Sequence, residues 1–285
     1  MEKYSIKLPN IDFQYLNYTP NTKGSRTKRL AIDNNDKSKA WFKYQGKGYN
    51  VSEACSEKMC YEIAKVLGYK CAKIELAKDE KQEIGVLNYL FVDVDKTTHM
   101  DAVSYLNEHE KERPYFYTVS NIKKTLDNID NNLFKGFIRL MVFDALVGET
   151  DRHEENWGIE ITESGYEFSP LYDNGCNLLR EFRNEEYANI YYNDLNKFDA
   201  YINKSKTYIY KEDNKQRFKH FELINYLNEN YHDILIKDIN NLNKLTDNII
   251  ENIVNKIPDE LLTDKHKQYI IYYLKKRRDI LLNIK

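Results

Sequence analysis

Hydrophobic positions in the first third of the chain follow mainly a strand pattern, with one helix among the strands. In order, the pattern predicts a strand at 40–44, a turn at 45–48, a helix from Ser52 to Leu67, and strands at 72–76 and 83–94. Ser52 is suited to cap the helix because its hydroxyl can accept a free backbone N–H. Gly68 is suited to end the helix because glycine adopts the left-handed conformation without strain.

From about residue 96 onward the periodicity becomes mainly helical, with one strand-rich segment. An apolar stripe predicts a long helix that ends near Gly148. After it we expect a loop at 151–156, a strand at 157–161, a turn at 164–165 and a return strand at 166–170. The last part predicts helices at 217–229, 241–256 and 264–283, with Pro258 as a break. The basic run 275–278 is expected to form a solvated helix face.

This division predicts an α+β chain with two lobes and a cleft between them. We expect a β-rich N-terminal lobe over 1–92 and a mainly helical C-terminal lobe over 93–285. The loop and hairpin at 149–175 belong to the second lobe.

Composition excludes several classes of protein. The 285 residues are 41% hydrophobic, which is enough for a sizeable core, and no apolar run is long enough to cross a membrane. A net charge of −2 gives no general attraction for nucleic acid, so none is expected as a direct partner. The four cysteines match neither a disulfide scaffold nor a common zinc pattern. Reduced thiols and the lack of an export signal favour the cytoplasm, although a non-classical export route stays open.

An Asp that precedes an Asn by five residues is the first candidate for chemistry. Kinase catalytic loops use that spacing, but in this Asn-rich chain it occurs five times, at 12/17, 127/132, 151/156, 238/243 and 247/252. Asp151/Asn156 differs because it follows a buried type of helix and precedes a hairpin that returns to Asp173. Mg²⁺ prefers hard oxygen ligands of this kind, so the order of elements indicates the metal-binding half of a phosphotransferase.

The segment GETDRHEENWGIEITESGYEFSPLYDNG, residues 148–175, closely resembles the catalytic core of the HipA-like serine/threonine kinases. That family carries a D-x-H-x-x-N loop and a P-[LF]-[YF]-D segment. Upstream, Glu57 precedes an A-K-x-L-G turn at the family's spacing, and Lys43 lies in the strand before it. The resemblance covers about residues 22–285. It implies a bilobed protein-kinase-like fold that uses ATP and Mg²⁺ to phosphorylate serine or threonine on a protein.

The resemblance also implies a role for each matching residue. Lys43 would hold the α- and β-phosphates and pair with Glu57. Asp151 would be the catalytic base or would orient the acceptor hydroxyl. Asn156 and Asp173 would bind Mg²⁺.

The remaining expected site residues brace the loop or bind nucleotide. They are His153 in the loop, Gly24, Ser25 and Lys28 in a phosphate-covering loop, and Tyr89, Leu90 and Phe91 in a hinge that would contact adenine through its backbone. In family members a serine of the phosphate-covering loop can be autophosphorylated, and Ser25 is the candidate here, with Thr22 and Thr27 as neighbours.

The chain departs from the family pattern in two ways. The phosphate-covering loop has one glycine and no G-x-G-x-x-G. The chain is also shorter than full-length HipA toxins and is more similar to compact members of the CtkA type. An antitoxin-like regulator is a partner that the family suggests.

Two other functions stay open. Phosphoinositide kinases also use D-R-H-x-x-N, so a lipid or small-molecule kinase is one alternative. A pseudokinase that binds nucleotide without catalysis is the other.

Overall fold

The computed structural model describes residues 2–16, 27–44, 52–92, 96–106, 116–182, 185–212 and 215–284. The predicted turn at 45–48 and the candidates Thr22, Gly24 and Ser25 lie outside these residues.

The N-terminal part of the chain forms a six-stranded sheet. Its strands are β1 (Ile6–Lys7), β2 (Phe13–Tyr15), β3 (Lys28–Asp33), β4 (Lys39–Tyr44), β5 (Ile74–Lys78) and β6 (Ile84–Tyr89). They lie in the order β1-β5-β6-β4-β3-β2, with β1 parallel to β5 and the other neighbours antiparallel. The sequence predictions for β5 and β6 were wrong at their ends, because residues 70–72 pair with Leu171 and the chain leaves the sheet after Tyr89.

The helix α1 (Ser52–Leu67) packs against one face of this sheet and ends at Gly68, as predicted. Leu76 and Val86 point towards α1 because alternate residues of a strand face the same side. Phe13 and Phe42 lie on the opposite face in a separate small core.

The C-terminal part is mainly helical. Its helices are α2 (Val103–Leu106), α3 (Val119–Ile129), α4 (Leu133–Val147), α5 (Glu185–Tyr192), α6 (Leu195–Lys204), α7 (His220–Asn241), α8 (Asp247–Asn255) and α9 (Asp264–Leu282). A three-stranded sheet contains β7 (Thr98–Asp101), β8 (Gly158–Thr162) and β9 (Gly165–Phe168), and a hairpin contains β10 (Lys206–Tyr210) and β11 (Arg217–Lys219). Helix α4 is buried on nearly all sides and forms the centre of this half.

Helix α7 shows why the predicted helix at 217–229 was wrong at both ends. Residues 217–219 are a strand because they pair with β10, and the helix continues past a kink at Tyr231 to Asn241. The hydrophobic period along a sequence carries no information about a pairing partner.

The basic run near the C-terminus is another correction. Arg277 is fully buried instead of solvated. Its guanidinium donates to the carbonyls of Ala145 at 2.7 Å and Ile202 at 2.9 Å, near the ends of α4 and α6. Carbonyls near helix ends lack intrahelical partners, so a buried arginine can satisfy them.

In the described part of the chain, no helix combines the length and apolarity that crossing a bilayer requires.

Candidate active site

Lys43, at the end of β4, contacts two carboxylates from different parts of the chain. Its Nζ lies 2.9 Å from Oδ1 of Asp173 and 3.7 Å from Oε1 of Glu57. Glu57 is buried on α1, whereas the Asp173 carboxylate is partly open to solvent. The sheet, α1 and the segment after β9 therefore meet at one lysine.

Helix α1 carries a second glutamate one turn before Glu57, and the two have different partners. Oε1 of Glu53 accepts a hydrogen bond of 2.9 Å from Nη1 of Arg180. The family resemblance implies that Glu57 is the partner of Lys43, and the Glu57 carboxylate lies near the Lys43 ammonium.

Lys28 is the cross-strand neighbour of Lys43 in the β3–β4 pair, so both side chains start from the same face of the sheet. Burial lowers the pKa of Lys28, the charge of Lys43 lowers it further, and Asp173 partly offsets both. Two lysines on the face that packs against α1 therefore place positive charge near Asp173.

The loop after α4 is held by its own hydrogen bonds. Gly148 ends the helix in the left-handed conformation, with φ of 74°. Nδ2 of Asn156 donates to the carbonyl of Asp151 at 2.8 Å, which closes the loop across the predicted D-x-H-x-x-N motif. The backbone N–H of His153 donates to the same carbonyl at 2.9 Å, and its ring accepts the N–H of Glu155 at 3.2 Å. His153 thus lies inside the loop scaffold.

Arg152 ties this loop to the segment that carries Asp173. Its Nη1 donates to the carbonyl of Asn156 at 2.9 Å and to the carbonyl of Tyr172 at 2.7 Å. Its Nη2 donates to Oδ1 of Asn174 at 2.6 Å. One guanidinium nitrogen therefore brings together the backbones of Asn156 and of the residue before Asp173.

The charge of Arg152 is balanced from within α4. Asp144 accepts from both Nε and Nη2 of Arg152 at 3.1 Å, and both side chains are buried. Burial alone would lower the pKa of Arg152, but the carboxylates of Asp144 and Glu149 outweigh burial and raise it. A planar guanidinium with five donors suits this arrangement, and the ion pair keeps it charged.

Sequence analysis missed Arg152 and Asp144 as site residues. The available signal was a single aspartate within the apolar stripe of α4, because a carboxylate in a buried stripe needs a partner. Arg152 itself stood inside the motif, between Asp151 and His153.

Asp173 has a positive φ of 55°, a conformation that aspartate tolerates better than most residues. It follows Tyr172, whose ring stacks on Phe91 of the predicted hinge with centroids 5.6 Å apart. The amides of Tyr89 and Leu90 donate to the carbonyls of Lys73 and Lys39, both at 2.9 Å. The Tyr89 side chain belongs to the small core of the opposite sheet face, so it points away from Lys43.

The atoms that could bind a metal in this region are hard oxygens. The carboxamide of Asn156 and the carboxylate of Asp173 are ligands that suit Mg²⁺, which commonly uses one or two carboxylates together with phosphate oxygens. Groups of three or more His, Cys, Asp or Glu residues that could form an all-protein metal cage are absent from the described residues. An amide oxygen and a carboxylate are a ligand set that fits a metal shared with phosphate oxygens.

The HipA-like C-terminal domain family matches this chain over residues 21–260. The chain belongs to this family. A comparison with curated proteins finds no match.

Two solved structures are similar to this HipA-like chain. The proinflammatory kinase CtkA of Helicobacter pylori has a TM-score of 0.76 and 19% identity, over 90% of this chain and 92% of that chain. HipA of Shewanella oneidensis MR-1, solved with HipB and operator DNA, has a TM-score of 0.59 and 12% identity. That match covers 98% of this chain and 65% of HipA. The predicted kinase-like α+β fold is confirmed, while the lobe boundaries at 92/93 stay a prediction.

Proposed function

We propose that this HipA-like chain is an ATP- and Mg²⁺-dependent protein kinase that phosphorylates serine or threonine. The observation that carries the proposal is the double hydrogen bond of Arg152 Nη1 to the carbonyls of Asn156 and Tyr172. It holds the candidate loop beside the candidate metal-binding aspartate, Asp173. Phosphoryl transfer depends mainly on such positioning and on neutralising charge.

Asp151 is the proposed base. Its carboxylate would accept the proton of the acceptor hydroxyl while the hydroxyl oxygen forms a bond to the γ-phosphorus. The bond from that phosphorus to the β–γ bridging oxygen would break, and ADP would leave. His153 would keep the loop in the conformation that presents Asp151.

Asn156 and Asp173 are the proposed metal-binding residues. When bound, Mg²⁺ would neutralise phosphate charge and align the triphosphate. Lys43 already lies beside Asp173 and Glu57, so phosphates held near Asp173 would be within its reach. Lys28, on the same sheet face, would add a second positive charge.

Nucleotide binding would also use the hinge and the phosphate-covering loop. We propose Tyr89, Leu90 and Phe91 as the hinge and Gly24 and Ser25, followed by Lys28, as the covering loop. Ser25 is the proposed site of autophosphorylation. Mass spectrometry after long incubation with Mg·ATP should find phosphate within residues 20–30, and its absence there would count against this site.

Regulation and location are further parts of the proposal. Because HipA of Shewanella oneidensis was solved in complex with HipB, we propose that an antitoxin-like regulator binds this chain as well. The proposed compartment is the cytoplasm.

Transfer of radiolabelled γ-phosphate from Mg·ATP to the chain itself or to a generic basic protein tests the function. We expect labelling by the wild type and its loss in both Asp151→Asn and Asp173→Ala. Asp127→Asn is the matched control, because Asp127 also precedes an Asn by five residues but pairs with Lys123 on α3. It should label like the wild type.

Three results would overturn parts of the proposal. Equal labelling by all four proteins would reject the assigned site. Labelling of a lipid or a small molecule instead of protein would reject the substrate class. Stabilisation of the wild type by Mg·ATP without labelling of any acceptor would indicate a pseudokinase.

A further inference from the structure

Glu149 is a buried glutamate two residues before the candidate base, Asp151. Only 1% of its surface is exposed. Its Oε1 accepts the backbone N–H of Asp151 at 2.8 Å. Its Oε2 accepts the backbone N–H of Cys176 at 3.2 Å and Nδ2 of Asn177 at 2.9 Å. One carboxylate therefore connects the loop that carries Asp151 to the segment that follows Asp173.

The neighbours of Glu149 strengthen the same connection. The backbone N–H and the hydroxyl of Thr150 both donate to the carbonyl of Cys176, at 3.2 and 3.1 Å. Nε2 of His220 donates to the carbonyl of Glu149 at 2.7 Å. The thiol of Cys176 lies 3.5 Å from Oδ2 of Asp151, so the Asp151 side chain meets the segment that Glu149 holds.

The chemistry of the site requires a carboxylate. Three donors converge on two oxygen atoms, which a glutamate can satisfy completely. A glutamine would offer one oxygen and would turn its NH₂ group towards an N–H donor. These three hydrogen bonds partly offset the cost of burying the carboxylate.

We propose that Glu149 is a positioning residue for phosphoryl transfer, which orients Asp151 by holding its backbone amide to the 176–177 segment. The inference rests on the proposed function, because it assigns Glu149 a role through Asp151. It assigns no contact between Glu149 and the substrate. We therefore expect substitution of Glu149 to change kcat much more than the binding of ATP.

The environment of Glu149 adds a dependence on pH. Burial raises its pKa from 4.5 to about 7, the charge of Arg152 opposes this increase, and Asp144 adds to it. Protonation would remove an acceptor from the three N–H groups, so turnover should fall as the pH drops below neutrality. The titratable or charged groups that face Glu149 from its own and neighbouring elements are Asp144, Asp151, Arg152, Cys60, Cys176, Arg180, His220 and Tyr273.

The test compares Glu149→Gln and Glu149→Asp with the wild type. We expect Glu149→Gln to lower kcat on the order of 10- to 100-fold, because small displacements of catalytic groups have effects of this size. KM for ATP should stay within about twofold, since nucleotide binding is not affected. Glu149→Asp should recover part of kcat, and Glu149→Gln should lose the decline in kcat below neutral pH. Glu160→Gln, another buried glutamate, is the matched control and should keep the wild-type kcat.

Hydrogen exchange of the unliganded proteins gives a readout that is independent of activity. In Glu149→Gln, amide exchange should speed up in peptides that cover 150–157 and 174–178, while peptides from α4 and α7 stay protected. A kcat within twofold of the wild type, or unchanged exchange in both segments, would overturn the inference. If the wild type transfers no phosphate, the proposed function fails, and exchange alone then decides whether Glu149 holds the two segments together.

Discussion

At the scale of single residues, buried charge organises the candidate site. Arg152 is satisfied by Asp144 and by three acceptors in the loops, whereas Glu149 is satisfied by N–H donors. A buried ion pair contributes little net stability because desolvation is costly, so its main effect here is to hold the loops in one arrangement. The two residues together join the 149–156 loop to the 172–177 segment.

The buried charge of Glu149 predicts a dependence of stability on pH. Its pKa is about 7 in the folded chain, whereas the ordinary value for glutamate is 4.5. Between these two pH values the folded state therefore binds more protons than the unfolded state. The free energy of unfolding should therefore fall as the pH rises through this window, by on the order of 3 kcal/mol from this group. Relative to the wild type, Glu149→Gln should show a flatter dependence when urea unfolding is measured from pH 5 to 8.

Glu163→Gln, in the exposed β8–β9 turn, controls for the loss of one negative charge. It should keep the slope of the wild type. Identical slopes for Glu149→Gln and the wild type would contradict the prediction.

At the scale of elements, two helices end in the same way but in different surroundings. Gly68 after α1 and Gly148 after α4 have φ values of 71° and 74°. A Cβ at Gly68 would meet nothing within 4 Å, whereas a Cβ at Gly148 would lie 1.9 Å from the hydroxyl oxygen of Tyr273. Gly148 therefore serves both the helix end and the packing of α9 against α4.

This pair separates backbone strain from packing. Gly68→Ala should cost about 1 kcal/mol of stability, the cost of a left-handed alanine. Gly148→Ala should cost at least about 2 kcal/mol, because it also displaces the buried Tyr273. Denaturant unfolding of both variants measures the difference. Equal losses of stability would show that α9 shifts to accommodate the added methyl group at no free-energy cost.

At the scale of the whole molecule, the sheet half and the helical half share one hydrophobic core, in which Leu76 of β5 and Phe143 of α4 both lie, and polar contacts add to it. Lys43 reaches Asp173, and Glu53 reaches Arg180. Near the N-terminus, the N–H of Tyr4 donates to the carbonyl of Lys256 at 2.7 Å, and Lys3 pairs with Asp259 at 2.6 Å. The position of α1 thus depends on both halves.

The two glutamates of α1 should respond differently to the same substitution. Glu57→Gln should lower phosphoryl transfer by about tenfold or more, because it weakens the electrostatic positioning of Lys43. Glu53→Gln should act mainly on stability, at about 1–2 kcal/mol, because it weakens a charged hydrogen bond to Arg180. Label transfer and thermal unfolding on both variants measure the two effects. A larger loss of activity in Glu53→Gln would reverse the assignment.

Much of the element order was predictable because it depends on local chemistry. The helical period and a following glycine predicted the ends of α1 and α4. The family motif identified Asp151, Asn156 and Asp173 as candidates and located the hairpin between them. The strand β11, by contrast, was missed because its three residues are defined by their partner β10.

The sequence by itself determined the α+β class, the family and the candidate loop, because hydrophobic period, turn residues and motif spacing are properties of neighbouring residues. Only the tertiary structure decided that Arg277 is buried, that Glu53 pairs with Arg180, and that Arg152 and Glu149 join the loop to the segment after β9. The physical reason is that a charged side chain acquires its role from the groups that replace water around it. Those groups come from elements that are far apart along the chain.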